Sequence, residues 1–305
     1  MAAMALVMAA CSKNDIAKED GKIPFSATIT APSNDPSTKT TYTESGTSIN
    51  VAWKSGDQIA LVHGGVKDVV TVGTPNPDGS APITGTITVG ADNEDIVLVY
   101  PADLVASATG GTAYTENTTV TNKFKTQAGT LAYIQNNLDI RKGTGKLAVS
   151  GASASLKENV SMASQIAIWK LTMTHFDPIY PNKVIVKVGG NSVAETSGTG
   201  ELAYPVVVHL ALDPSTMGTG TLRIDAYEYY YSPTDYSDDY YYEKAGGISL
   251  TAGRYYQSTF ALEREGKVWS WSCSKECLEV TGHGAVKEEI KTGLGVRKPE
   301  PAMSL

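Results

Sequence analysis

At 305 residues the chain has room for two domains of ordinary size. A hydrophobic content of 41% with 19% charged residues excludes a disordered chain, and a formal net charge of −7 without a basic stripe excludes a surface built to track nucleic-acid phosphates. Beyond position 11 the only cysteines are Cys273 and Cys277, so the body folds on a core instead of a disulfide framework.

In chain order, the first informative stretch is Leu6-Val7-Met8-Ala9-Ala10-Cys11, apolar and small residues ending at a cysteine, after which the composition turns polar. Residues 1–11 read as a lipoprotein signal segment. No basic residue precedes Cys11, so the segment is expected to be truncated at its start. The thiol and new amino group of Cys11 would carry acyl chains, each contributing roughly 0.8 kcal/mol per buried CH₂, and hold the body on a membrane. No later apolar run approaches the ~18–20 residues of a spanning helix. Residues 6–15 resemble the lipoproteins of Bacteroidetes-type bacteria, and residues 12–22 read as a polar tether.

The body alternates with period two. Ile23, Phe25, Ala27 and Ile29 predict a half-buried strand over 23–30, with Pro24 at a sheet edge or strand start. Residues 49–62 predict two short strands around a Gly56-Asp57 turn, with Trp53 as a buried anchor and Ile59 and Leu61 facing inward. Further strands are predicted at 82–89 and 95–102, then a long loop with weak strands over 105–130. A junction is placed in the polar segment 150–161. A second β body follows, with strands at 165–174, 184–188, 206–212, 222–227 and 253–262. Short strands separated by Gly, Pro, Asn and Asp indicate an all-β sandwich architecture without a helix longer than two or three turns.

Eight of the sixteen tyrosines fall between Tyr227 and Tyr242, among Asp235, Asp238 and Asp239. Two readings stay open. Tyr229, Tyr230, Tyr231, Tyr236, Tyr240 and Tyr241 could line a loop that stacks on sugars or protein surfaces, or they could cover the sheet of a hairpin with an acidic tip. Cys273, Cys277 and His283 make an incomplete zinc set, so no metal and no cofactor is expected. Catalysis is not expected either: His63, His175, His209 and His283 are scattered. Gly143-Thr144-Gly145-Lys146 fails as a phosphate loop, because Ile140 replaces the first glycine and Leu147 the Ser/Thr.

Five motifs in order, Thr-Lys-Thr-Thr-Tyr-Thr at 38–43, Val-Ala-Trp-Lys-Ser-Gly-Asp-Gln-Ile at 51–59, Val-Leu-Val-Tyr-Pro-Ala at 97–102, Ile-Trp-Lys-Leu-Thr-Met at 168–173 and Ala-Gly-Arg-Tyr-Tyr at 252–256, resemble the fimbrillin-like (Mfa-like) surface lipoproteins of Bacteroidetes. The resemblance implies two tandem transthyretin-like β-sandwich domains, 23–160 and 161–265, followed by an atypical tail over 266–305. It also implies a type V pilus subunit or accessory adhesin. Such a protein travels to the outer membrane as a lipoprotein and enters a fimbrium when a trypsin-like protease removes its first strand, leaving a groove for a strand of another subunit. Lys39 stands at the processing position, with Lys in place of Arg. Pilus subunits, outer-membrane lipid and a host protein or glycan are the expected partners; nucleic acid is not. The alternative function is a glycan-binding surface lipoprotein for polysaccharide capture.

Overall fold

The computed structural model describes residues 21–30, 43–46, 48–50, 53–176, 178–196, 202–230 and 236–265. Cys11, the tether through residue 20, Lys39, Tyr231 and the tail from 266 with Cys273, Cys277 and His283 lie outside the described residues. The strands in chain order are β1 (Lys22–Thr30), β2 (Thr43–Ser45), β3 (Ser48–Asn50), β4 (Gln58–His63), β5 (Val66–Val72), β6 (Ala81–Thr88), β7 (Asp95–Tyr100), β8 (Val105–Gly110), β9 (Ala113–Glu116), β10 (Thr126–Gln127), β11 (Arg141–Ser150), β12 (Ser153–Leu156), β13 (Val160–Ser161), β14 (Ala163–Ser164), β15 (Ala167–Thr174), β16 (Lys183–Val188), β17 (Asn191–Thr196), β18 (Val206–Leu212), β19 (Leu222–Tyr230), β20 (Tyr236–Lys244), β21 (Tyr255–Ala261) and β22 (Glu263–Arg264). Two short α-helices, α1 (Thr118–Thr121) and α2 (Leu131–Asn137), complete an all-β fold. Among the described residues no helix is long and apolar enough to cross a membrane.

The chain forms two compact units, and neither is contiguous. Of the described residues, unit 1 takes 21–30, 53–116 and 142–162, and unit 2 takes 43–46, 48–50, 117–141 and those from 163 onward. Residues 43–46, 48–50 and 117–141, expected inside the first domain, therefore group with the second. The cause is long-range pairing that local periodicity does not register: β10 runs parallel to β17 (Thr126↔Glu195), and Glu44 beside β3 bonds to side chains of β15 and β21.

In unit 1 the strand order is β12-β1-β6-β5-β4-β7-β11, and β11 pairs back onto β12 from Leu147↔Leu156 to Ser150↔Ser153, so the sheet closes on itself. Closure removes open edges, which are aggregation-prone. The inward residues of each strand share one core: Ile23, Phe25 and Ile29 of β1 pack with Ile59 and Leu61 of β4, Ile83 and Ile87 of β6 and Trp53. Trp53 stands edge-on to Tyr100 at 5.4 Å. The expected turn is present. Gly56 has φ +94°, a region closed to most side chains, while the Lys54 amide donates to Asp57 Oδ2 at 3.0 Å. Pro24 lies near the start of β1, but β1 is no edge strand.

Unit 2 is built from a six-stranded sheet, β10-β17-β16-β19-β20-β22, and a three-stranded sheet, β18-β15-β21. Trp169, Leu171 and Met173 of β15 and Val206, Val208 and Leu210 of β18 share a core with Val184 and Val186 of β16 and Leu222 and Ile224 of β19. The alternation expected from the sequence thus turns one face of each sheet inward. The outer edge of β18 is finished by a side chain. Gln127 donates from Nε2 to the Ala211 carbonyl at 2.7 Å and accepts the Ala211 amide on Oε1 at 2.9 Å, and the His209 amide donates to the Gly129 carbonyl at 2.8 Å. One side-chain amide reproduces a rung of the ladder and keeps that edge from an unwanted partner.

Candidate functional site

The first candidate is the slot that holds β1. On one side β1 runs antiparallel to β6 from Lys22↔Thr88 to Ile29↔Ala81; on the other it runs parallel to β12 at Phe25↔Ala154 and to β13 at Ile29↔Val160 and Thr30↔Ser161. A strand at the N-terminal side of the described chain thus sits between partners on both flanks. Its inward side chains enter almost completely, Ile23 and Phe25 at 2% exposure and Ile29 at 0%. In register, Phe25 faces Gly85 on β6 and Ala154 on β12. Both neighbours are small. A Cβ at Gly85 would lie 3.2 Å from the Val69 carbonyl oxygen and 3.2 Å from Val70, which is why the pocket wall there is backbone.

The start of β1 is tied electrostatically. Lys22 Nζ lies 3.3 Å from Asp68 Oδ1, and Asp68 also accepts the Thr88 amide at 2.7 Å. His63 is buried between two carboxylates, with Nε2 3.3 Å from Asp68 and Nδ1 3.2 Å from Glu94. The hydrogen bond to Asp68 raises the His63 pKa above its ordinary value, with Glu94 adding to it against the opposing cost of burial. Burial alone would push Asp68 upward, but His63, the Thr88 amide and Lys22 hold it below the usual carboxylate range. Gly90 makes the close approach feasible, since a Cβ there would lie 2.9 Å from His63 Nδ1.

The tyrosine-rich stretch is a β-hairpin. β19 and β20 pair antiparallel from Leu222↔Lys244 out to Tyr229↔Ser237 and Tyr230↔Tyr236. Tyr240 does not belong among ligand-contacting residues: it is 6% exposed in the unit 2 core, edge-on to His175 at 5.0 Å. Alternation turns it inward opposite Ala226. Tyr241 faces the other way and is engaged, its hydroxyl donating to Glu263 at 3.0 Å and its ring carrying the Arg223 guanidinium at 4.7 Å. Burial and Glu263 raise its pKa. Tyr229, Tyr230 and Tyr236 are strand residues near the hairpin tip.

A further cluster gives no sign in the sequence. Glu44 Oε1 accepts Lys170 Nζ at 2.7 Å and the Tyr255 hydroxyl at 2.9 Å, and Oε2 stands 3.6 Å from His209 Nε2, an ionic contact too long for a hydrogen bond. Gln257 Nε2 donates to the Gly46 carbonyl at 2.7 Å. These contacts lay the β2–β3 hairpin over the outward face of β18-β15-β21, where His209, Lys170 and Gln257 form one row in register. The hydrogen bond from Lys170 dominates in lowering the Glu44 pKa; burial raises that of Tyr255 and lowers that of His209, with Glu44 pulling His209 back up. Gly143-Thr144-Gly145-Lys146 lies in an ordinary strand. Gly143 and Gly145 lie in β11 because Val160 packs onto them, within 2.5 Å and 2.6 Å of where a Cβ would stand, and Lys146 pairs with Asp95 at 2.8 Å.

No family model matches the chain, and no curated protein matches its sequence. Among solved structures it is similar to a candidate cell adhesion protein from Bacteroides fragilis (9% identity, TM-score 0.41, covering 82% of this chain and 99% of that one). It is also similar to one from Bacteroides uniformis (14%, TM-score 0.39, 83% and 99%) and to a fimbrial assembly protein from Parabacteroides distasonis (11%, TM-score 0.34, 80% and 93%).

Proposed function

We propose that this chain is a surface lipoprotein that serves as a fimbrial subunit or accessory adhesin, assembling by strand exchange after loss of its first strand. The carrying observation is the β1 slot. Removing β1 would strip one side of β6 and the facing sides of β12 and β13 of their backbone partners and empty the spaces of Ile23, Phe25 and Ile29. Exposed edges and an apolar trench together favour β-augmentation by an extended segment with apolar residues at alternate positions. In this reading a trypsin-like protease cuts after Lys39, the acyl chains on Cys11 leave with β1, and a strand of another subunit fills the trench. The role is structural and adhesive, with no catalytic step.

The test is to express residues 12–305, treat them with a trypsin-like protease and follow size and N-terminal sequence. The expected result is a new N-terminus at Thr40 together with a ladder of oligomers. A chain that resists the cut at Lys39, or that loses β1 and stays monomeric at high concentration, would refute the reading.

A further inference from the structure

We propose that one end of unit 2 is a glycan-binding surface that takes neutral, β-linked glucose- or galactose-type chains on exposed aromatic rings. The inference rests on the adhesive reading above and specifies its ligand. All the exposed large hydrophobic residues among the described residues of unit 2, Phe176 (81%), Tyr180 (44%), Tyr204 (37%) and Val207 (38%), lie at this end. The loop from β15 to β16 supplies the first two, and the approach to β18 supplies the others. The two segments meet: the Leu202 amide donates to the Pro181 carbonyl at 3.0 Å, and the Tyr204 hydroxyl donates to the His175 carbonyl at 2.9 Å. The β19–β20 hairpin reaches the same end, since the Asn182 amide donates to the Tyr227 carbonyl at 2.8 Å.

The rings are held in place from below. Phe176 leans on His175 at 4.1 Å, and His175 in turn stands at 5.0 Å from the buried ring of Tyr240. Ile179, fully buried, pins the loop immediately before Tyr180. Rings fixed before the ligand arrives cost little ordering entropy on binding. An 81% exposed phenylalanine needs a reason, and its position at the top of this aromatic stair supplies one.

Charge and area select the ligand class. Glu195, Glu228, Asp239, Glu263 and Glu265 come to this end on β17, β19, β20 and β22 or just beyond, against Lys183, which pairs with Glu195 at 3.0 Å, Arg223, which reaches Glu265 at 3.3 Å, and Arg264, so acidic groups outnumber basic ones among the described residues. That field repels polyanions and anionic membrane. The three rings together expose on the order of 300 Å² of apolar surface. A β-gluco- or β-galactopyranose presents a flat face of C–H bonds, which suits the electron-rich face of an aromatic ring, and two or three such faces match this area.

The test is affinity electrophoresis of the full chain through gels containing soluble xyloglucan, pectic β-galactan or polygalacturonate, beside Phe176→Ala, Tyr180→Ala and, as an exposed control in unit 1, Val89→Ala. Melting curves confirm folding of each. Retardation by xyloglucan or β-galactan, weakened about tenfold in both aromatic variants and unchanged in Val89→Ala, is the expected result. The proposal is overturned if neither neutral polymer retards the chain, if Phe176→Ala and Tyr180→Ala are retarded like the parent, or if polygalacturonate is held as strongly. Retention of asialomucin that survives enzymatic removal of its glycans marks a protein partner and overturns it as well. Protease-triggered ladders without glycan retention sink this inference alone, and glycan retention without ladders sinks strand exchange alone.

Discussion

Replacing Phe25 with alanine tests the part of unit 1 on which the proposed assembly depends. Phe25 is 2% exposed and faces Gly85 and Ala154, neither of which has a side chain long enough to move into the vacated space. Phe→Ala in a core costs about 3–5 kcal/mol, and the value rises with the cavity that cannot collapse. With small neighbours on both flanks, Phe25→Ala falls in the upper half, about 4 kcal/mol, a large part of the ~5–15 kcal/mol that stabilises a typical domain. Urea unfolding followed by near-UV dichroism and by the fluorescence of Trp53, which shares the core with Phe25, reads the effect. Ser26→Ala, exposed on the opposite face of the same strand, serves as control and should change stability by under about 0.5 kcal/mol. A loss below about 1.5 kcal/mol for Phe25→Ala would mean that β1 is not held by its inward side chains, and the argument for a strand-accepting trench would fail.

Three further outcomes follow from the clusters. His63 has a folded pKa raised above its ordinary 6.5, so its contribution is complete below pH 6.5 and is lost as pH rises through the folded value; urea midpoints should fall across that window, and the fall should vanish in His63→Gln. The groups facing His63 are Asp68, Glu94 and, through Asp68, Lys22, so Asp68→Asn should remove the dependence too. Glu44→Gln removes the charge that pulls His209 upward against burial, and an NMR titration should show the His209 pKa falling further, with the β2–β3 hairpin loosened by about 1 kcal/mol in hydrogen exchange; an unmoved His209 would refute the cluster. Gln127→Leu leaves the Ala211 amide and carbonyl without their partner in a buried setting and should cost about 2–4 kcal/mol, whereas an exposed-site change such as Lys125→Ala should not.

Individual strands were plain in the sequence wherever apolar residues alternate, as in β1, β6, β16 and β18, because period two follows from the pleat of a single strand. β11 and β17 were not. In β11 the inward positions include Gly143 and Gly145, and the space above them is filled by Val160 of β13, so a count of apolar side chains finds nothing. The sequence leaves two readings of the tyrosine stretch open; strand pairing makes it a hairpin and buries Tyr240, because its partner across the ladder is an inward Ala226.

Composition and local pattern by themselves determined the all-β class, the buried anchor Trp53, the Gly56-Asp57 turn and the inward residues of β1 and β4, since each of these depends on residues within a few positions of one another. The tertiary structure alone decided which strands pair, that the sheet of unit 1 closes through β11 and β12, and that residues 43–46, 48–50 and 117–141 join unit 2. It alone brought Glu44 to Lys170 and Tyr255, His63 between Asp68 and Glu94, and the Tyr204 hydroxyl to the His175 carbonyl. Most of these meetings span tens to hundreds of residues. Their energy comes from burial and from desolvated hydrogen bonds that exist only once the sheets have closed, so no window of sequence carries their signature.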